Sequence, residues 1–277
     1  MKKHFTLLLV VLFTTVLLAQ SKEKIKGSKI VTIASREIGD FEALVVEDNL
    51  EISLERGEKA EIKIEADENL HEIIVAEVST NTLRIHTTKQ AINFKKLLIR
   101  VTYTDKLNFI TAKNETVINA IQELLLDSIT LKAEDESKLF INASVTNFIL
   151  EADGKSKTEL NLKSTTAKIG LLKNSTLKAL INTVDLKIDQ YQKSIATLEG
   201  ASENVIIRVD NNSAFIGNKF TTKKAEITTE SYTNCSLFVE NAVIITATDK
   251  SEIQLLGSPK IEIQKFLDEA KLFKKLK

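Results

Sequence analysis

The side chains in this 277-residue chain that could do chemistry are carboxylates and hydroxyls at near-regular spacing. Asp135, Asp153, Asp189, Asp210 and Asp249 stand near a polar corner that precedes a serine. Carboxylates on neighbouring turns can act as acid and base on a glycoside or polyuronide, or hold calcium through oxygen ligands. These five do not share one spacing, many are followed by Lys or Asn, and Asp is favoured at turns for conformational reasons. A structural role is the simpler expectation. The serines are more regular: Ser137, Ser156, Ser175, Ser194 and Ser213 follow one another at 19 positions, and two further steps pass Tyr232 and reach Ser251. Such a hydroxyl column either bonds backbone groups at a corner or lines a groove that meets a repeating sugar. These six serines are therefore the candidate ligand face. After the first 20 residues only His71 and His86 remain as imidazoles, and a metal site there would need help from Glu68 or Glu72. With a single cysteine, Cys235, and no glycine-rich phosphate loop, disulfide, thiol and nucleotide chemistry have no support. No catalytic residue, metal or cofactor is assigned.

The elements that must position the serines repeat with them. Ile129, Phe148, Ala167, Leu186 and Val205 form one apolar column at the same spacing; Leu131, Leu150, Ile169, Ile188 and Ile207 form a second. Ala133, Ala152, Leu171, Gln190 and Val209 make a third, apolar in four of its five places. Apolar residues at i, i+2 and i+4 describe a strand with one buried face. A second alternating set follows each serine, such as Leu139 with Ile141 and Leu177 with Ala179. A unit this short cannot bury its own apolar face, so the units must stack. Two-helix repeats need about 33 residues or more, and the leucine-rich pattern is absent. The sequence predicts an all-β chain: a parallel β-helix over 109–265 with about 19 residues per coil, wound right-handed. After Val205 the apolar positions slip by one, to Ala225 and Ile227, and return at Val243; a bulge near 220–223 should absorb the slip.

Hydrophobic residues make up 43% and aromatics only 5%, which implies an aliphatic core. Basic and acidic residues balance at 38 each, so no field draws nucleic acid or an anionic membrane. Residues 1–19 read as an export signal, with Lys2 and Lys3 before the apolar run 5–18; that run is too short to span a bilayer. Segment 20–29 is expected to be a disordered, Lys-rich linker. Residues 30–108 alternate in short runs separated by turn signals, which predicts an antiparallel β-layer capping the first coil. Residues 266–277 carry Phe266, Leu267, Ala270 and Phe273 at helical spacing and read as an amphipathic cap or tail.

Several stretches also resemble a known family: "FEALVVEDNLEISLERGEKAEIKIEADENL" (41–70), "LRIHTT" (83–88), "LLIRVTYTDKLNFITAKNETVI" (97–118), the coils, and "GSPKIEI" (257–263). Together they are similar to the auto-transporter adhesin head GIN domain family, exported β-helical proteins of Bacteroidetes. The resemblance implies fold and export and carries over no catalytic residue. One departure is Thr111-Ala112-Lys113-Asn114, where family members carry a Gly-containing turn. The expected function is a non-enzymatic envelope or surface protein that binds through the β-helix face, with glycans or another surface protein as partner. The alternatives are a carbohydrate-active β-helix enzyme and a purely structural envelope protein. Asp127-Ser128-Ile129 also resembles a bacterial O-glycosylation acceptor motif of the same phylum.

Overall fold

The computed structural model describes residues 22–275; the export segment expected at 1–19 lies outside them. Period-2 alternation in the first part of the chain gives β1 (Lys24–Lys26), β2 (Val31–Glu37), β3 (Ala43–Val46), β4 (Glu51–Arg56), β5 (Glu61–Asp67), β6 (Ile74–Ser79), β7 (Thr82–Thr87), β8 (Gln90–Ile92) and β9 (Leu97–Tyr103). Then follow β10 (Phe109–Ala112), β11 (Val117–Ala133) and one long bent strand per coil: β12 (Lys138–Ala152), β13 (Lys157–Leu171), β14 (Thr176–Gln190), β15 (Ile195–Val209), β16 (Ala214–Thr229) and β17 (Asn234–Ala247). The chain closes with β18 (Glu252–Leu256), β19 (Lys260–Phe266) and β20 (Lys271–Lys275). Parallel pairing of each coil with the next makes a solenoid of about nine turns, as the repeat predicts.

The three apolar columns point inward. Leu131, Leu150, Ile169, Ile188, Ile207, Ile227 and Ile245 are all buried and form one continuous rib. Most coils then turn through a two-residue corner of left-handed backbone, as at Asp135 and Glu136 (φ 51 and 64), Lys173 and Asn174 (φ 45 and 64) and Asn211 and Asn212 (φ 54 and 62), while the last corners carry one such residue, Ser231 or Asp249. An i→i+3 bond closes the corner, as in Ser137 N–H to Glu134 O at 3.1 Å and Ser175 N–H to Leu172 O at 3.0 Å. That is the type I′ geometry which Asn, Asp and Gly adopt most cheaply. The corners also join one another, with Glu136 N–H donating to Gly154 O at 2.9 Å and Lys155 N–H to Lys173 O at 3.0 Å.

Two irregularities interrupt the ladder. Between Ala120 and Leu124, β11 takes four steps while β12 takes two, so 121–123 bulge outward. The slip expected after Val205 is present, since Val205 pairs with Ala225 and Ala225 with Val243. The extra residue enters between Ile216 and Lys219, slightly before the expected 220–223. Gly200 makes this workable: its φ of 107° suits only glycine, and a Cβ there would lie 2.2 Å from Ile181 O. Phe220 pairs with Gly200 and is buried at that level of the core.

Three expectations about the ends are corrected. The linker expected over 20–29 contains β1, which pairs in parallel with β8 because Ile25 is half-buried against the core. The N-terminal unit is antiparallel only in part, through β2 with β5, β5 with β9 and β6 with β7. Its other strands continue the solenoid in parallel: β7, β3 and β10 stack toward β11 on one side, and β9 and β4 toward β11 on the other. No coil boundary therefore falls at 108. At the far end, where an amphipathic cap or tail is expected over 266–277, strand continues through 275, because β19 and β20 pair with β17 and β18 as one more coil. Ile261, Ile263 and Leu272 extend inward columns there, but Lys274 falls opposite Leu255. A charge at the end of an apolar column discourages further strand addition.

Asp67 fastens the N-terminal end. Its buried carboxylate accepts N–H bonds from Lys29 at 2.8 Å, Lys96 at 3.0 Å and Lys95 at 3.0 and 3.1 Å. Burial alone would raise its pKa; the three backbone donors outweigh it and hold the carboxyl below the ordinary value of 3.8. A depressed carboxylate stabilises the fold above its unfolded pKa, and that stabilisation is lost as pH falls through the lower folded pKa. Amide protection over 24–29, measured relative to the intrinsic exchange rate from pH 6 down to pH 2, should fall only below pH 4, and Asp67→Asn should show weak protection across the whole range.

Candidate functional site

The six candidate serines do not face a ligand. Ser137, Ser156, Ser175, Ser194, Ser213 and Ser251 are all buried, each directly after its left-handed corner with the side chain turned inward. The ligand-face expectation is thereby corrected: the corner rotates the following residue into the core, where no outside partner can reach its hydroxyl. The column is also longer than the sequence reading had it. Thr116 precedes it, and Thr233 occupies the slot of the 20-residue coil, where counting by 19 lands on Tyr232, because Ala214 pairs with Asn234. The hydroxyls differ in bonding. Ser213 Oγ accepts from Ser194 N–H at 3.2 Å and lies 3.3 Å from Ser194 Oγ; Thr229 Oγ1 bonds Ser251 Oγ at 3.0 Å. Among the described residues the hydroxyls of Thr116, Ser137, Ser156, Ser175 and Thr233 have no hydrogen-bond partner.

The aspartates are spread over distinct roles. Asp153 and Asp210 open their corners, each accepting the next residue's N–H at 2.6 Å. Asp135 and Asp249 are themselves left-handed corner residues, with φ of 51° and 57°. Asp189 lies within β14 and pairs with Lys187 at 3.4 Å. Asp153 also holds Lys173 at 2.8 Å. Among the described residues no three of His, Cys, Asp and Glu converge as a metal site would require. Thr32 Oγ1 bonds His71 Nε2 at 3.0 Å. Cys235 is buried, and burial pushes its thiol up to about 12, away from thiolate chemistry. Ser128, of the acceptor-like triplet, is half-buried at the second corner between Asp127 and the Asn147 amide, both at 3.3 Å.

Two of the concavities on the surface lie along the coils from the first corners onward. A trough of about 740 Å³ runs over the corners from Asp48 to Asn174. It is lined by charges that pair with one another or with neighbours, such as Lys155 with Glu136 at 2.9 Å and Lys22 with Asp48. The second is a groove of about 450 Å³ on the outer face of the strand that follows each serine. Phe140 (36% exposed), Leu180 (45%) and Ile121 (77%) present apolar surface there, interleaved with Asn142, Glu159, Asn161, Lys178 and Thr197. The 121–123 bulge forms one end, with Ile121 O accepting the Asn142 amide at 2.6 Å. Glu199, held by Lys219 at 2.9 Å next to the second irregularity, forms the other. These residues gave no signal in the sequence, because outward positions vary from coil to coil and the bulge cannot be read from spacing.

A family model described as "Putative auto-transporter adhesin, head GIN domain" matches residues 40–169 and again 157–259. The chain belongs to that family. Its fold is also that of solved structures. A protein from Parabacteroides merdae described as a putative adhesin aligns with a TM-score of 0.69 at 15% identity, over 91% of this chain and 99% of that one. A second, from Parabacteroides distasonis and likewise described as a putative adhesin, gives 0.62 at 14%, over 91% and 100%. Another from P. distasonis, described as a putative lipid binding protein, gives 0.61 at 13%, over 92% and 98%. No curated protein matches the chain. In this member of the adhesin family the serine ladder is internal, so its substitutions read out stability. Ser213→Ala removes an acceptor used by two groups and should cost about 1 kcal/mol in urea unfolding. Ser175→Ala removes an unpartnered buried hydroxyl and should be neutral or stabilising.

Proposed function

We propose that the protein is exported and acts without catalysis, as an adhesin-type binding protein of the cell envelope or surface whose contact is made by the outer face of β12–β15. The observation that carries this reading is the groove of about 450 Å³, where Phe140, Leu180 and Ile121 stand exposed side by side in one concavity among polar groups. A concave apolar surface with a few convergent polar groups is the usual form of a binding site. Family membership supports a surface role. The aspartates most suited to acid–base work are occupied at corners and ion pairs, which favours binding over the carbohydrate-active alternative. A rigid solenoid suits adhesion, since face residues on a paired strand lose little freedom on contact.

Beads coated with the exported chain should be retained on at least one of a panel of bacterial and animal cell surfaces. The double variant Phe140→Ala/Leu180→Ala should lose most of that retention, and Ile206→Ala on the reverse face should keep it. Retention on no surface, or release of polysaccharide fragments by the protein, would overturn the reading.

A further inference from the structure

The groove holds outward polar groups that make no pair along the coil ladder. On the neighbouring surface, opposite charges one coil apart close ion pairs: Lys132 with Glu151 at 2.7 Å, Lys155 with Glu136 at 2.9 Å, Lys219 with Glu199 at 2.9 Å. Glu159 and Lys178 are register partners across β13 and β14, yet no ion pair or side-chain hydrogen bond joins them or engages either elsewhere among the described residues. Asn161, beside Glu159 on the same face, is likewise unengaged. A carboxylate, an ammonium and an amide thus converge next to the exposed Phe140 ring without satisfying one another.

We infer that this groove binds a straight, uncharged β-1,4-linked oligosaccharide lying along the solenoid axis, an assignment that rests on the binding reading above. Shape is the first argument. Ile121, Phe140, Glu159, Lys178 and Thr197 come from five successive coils. Four coil steps of about 4.8 Å make a slot about 19 Å long. A β-1,4 chain is extended, and each ring advances by close to one coil step with alternate rings turned over, so every second sugar meets an equivalent position two coils on.

Charge is the second argument. Hydroxyls both donate and accept, so one uncharged chain can donate to the Glu159 carboxylate and accept from Lys178 and the Asn161 amide. An anionic chain would meet Glu159 and Glu199 as like charges. An acyl chain would cover Glu159 and Lys178 without giving either a partner, which carries a desolvation penalty. The axial C–H face of a pyranose ring supplies apolar surface for Phe140 and Leu180.

The test is calorimetric titration of the exported chain with the β-1,4-linked hexamers of glucose and of N-acetylglucosamine, with the two monosaccharides, and with hexadecanoate. At least one hexamer should bind saturably and at least tenfold more tightly than its monosaccharide. Phe140→Ala and Asn161→Ala should each weaken it at least tenfold, while Lys168→Ala on the reverse face leaves it unchanged; both groove side chains point outward, so circular dichroism should be unaltered. No binding of either hexamer, binding insensitive to both groove variants, or binding of hexadecanoate alone would overturn the assignment. If the hexamers fail but bead retention is still lost in Phe140→Ala/Leu180→Ala, the adhesion reading stands and the glycan assignment falls. Hexamer binding without retention on any cell surface would do the reverse.

Discussion

Each coil of this protein satisfies the backbone N–H and C=O groups of its strands through the coils on either side, and the rest of the structure depends on keeping that register. A parallel ladder with side chains at period 2 tolerates no net slip, since one residue of shift would turn a whole apolar column outward. The two irregularities obey this rule. The residues 121–123 leave the ladder entirely, so Leu124 re-enters opposite Ala143 with its side chain buried. The extra residue in β16 is taken up near Gly217 and given back in β17 before Val243, and Phe220 refills the core at the level where Gly200 has no side chain.

The same constraint explains the corners and the surface. A 19-residue coil must reverse within two residues, and the left-handed pair closed by an i→i+3 bond does so. Few glycines are needed, because Asn and Asp occupy several of these positions and corner-to-corner hydrogen bonds offset the strain at Glu136, Lys155 and Gln192. Behind the corner only a small side chain fits, which accounts for Ser and Thr in the buried slot even where the hydroxyl has no partner. On the outside, stacking brings like positions into columns, so opposite charges 19 or 20 residues apart pair. The pattern is incomplete in the groove between the two bulges, where the proposed contact surface lies.

What was legible in the sequence was whatever repeats. The buried ribs of Leu131 and Ile129, the 19-residue period and the slip after Val205 all follow from alternation and stacking. The N-terminal strands were harder. β3 and β4 are short and separated by ordinary turns, so nothing local distinguishes a hairpin strand from a coil strand; their parallel partners β10 and β11 lie more than 60 residues away. The tail was harder because Phe266, Leu267, Ala270 and Phe273 have helical spacing, while register with Ala247 and Gln254 makes Phe266 and Phe273 strand residues on either side of a turn. The serine column was visible, but its direction was not, since a corner decides whether the next side chain points in or out. The groove was invisible because it depends on a bulge and on outward residues that do not repeat.

The continuity of the ladder into the N-terminal strands is the claim on which this account turns, and a cross-linking measurement addresses it. Glu51 and Val117 are register partners across β4 and β11, and Val117 pairs in turn with Lys138. Parallel neighbours lie about 4.8 Å apart, within disulfide reach, and residues two coils apart lie at about twice that, beyond it. The variant Glu51→Cys/Val117→Cys should form an intramolecular disulfide under mild oxidation, and Glu51→Cys/Lys138→Cys should remain reduced. Disulfide formation in the second variant with none in the first would contradict the stacking order and separate the N-terminal strands from the solenoid.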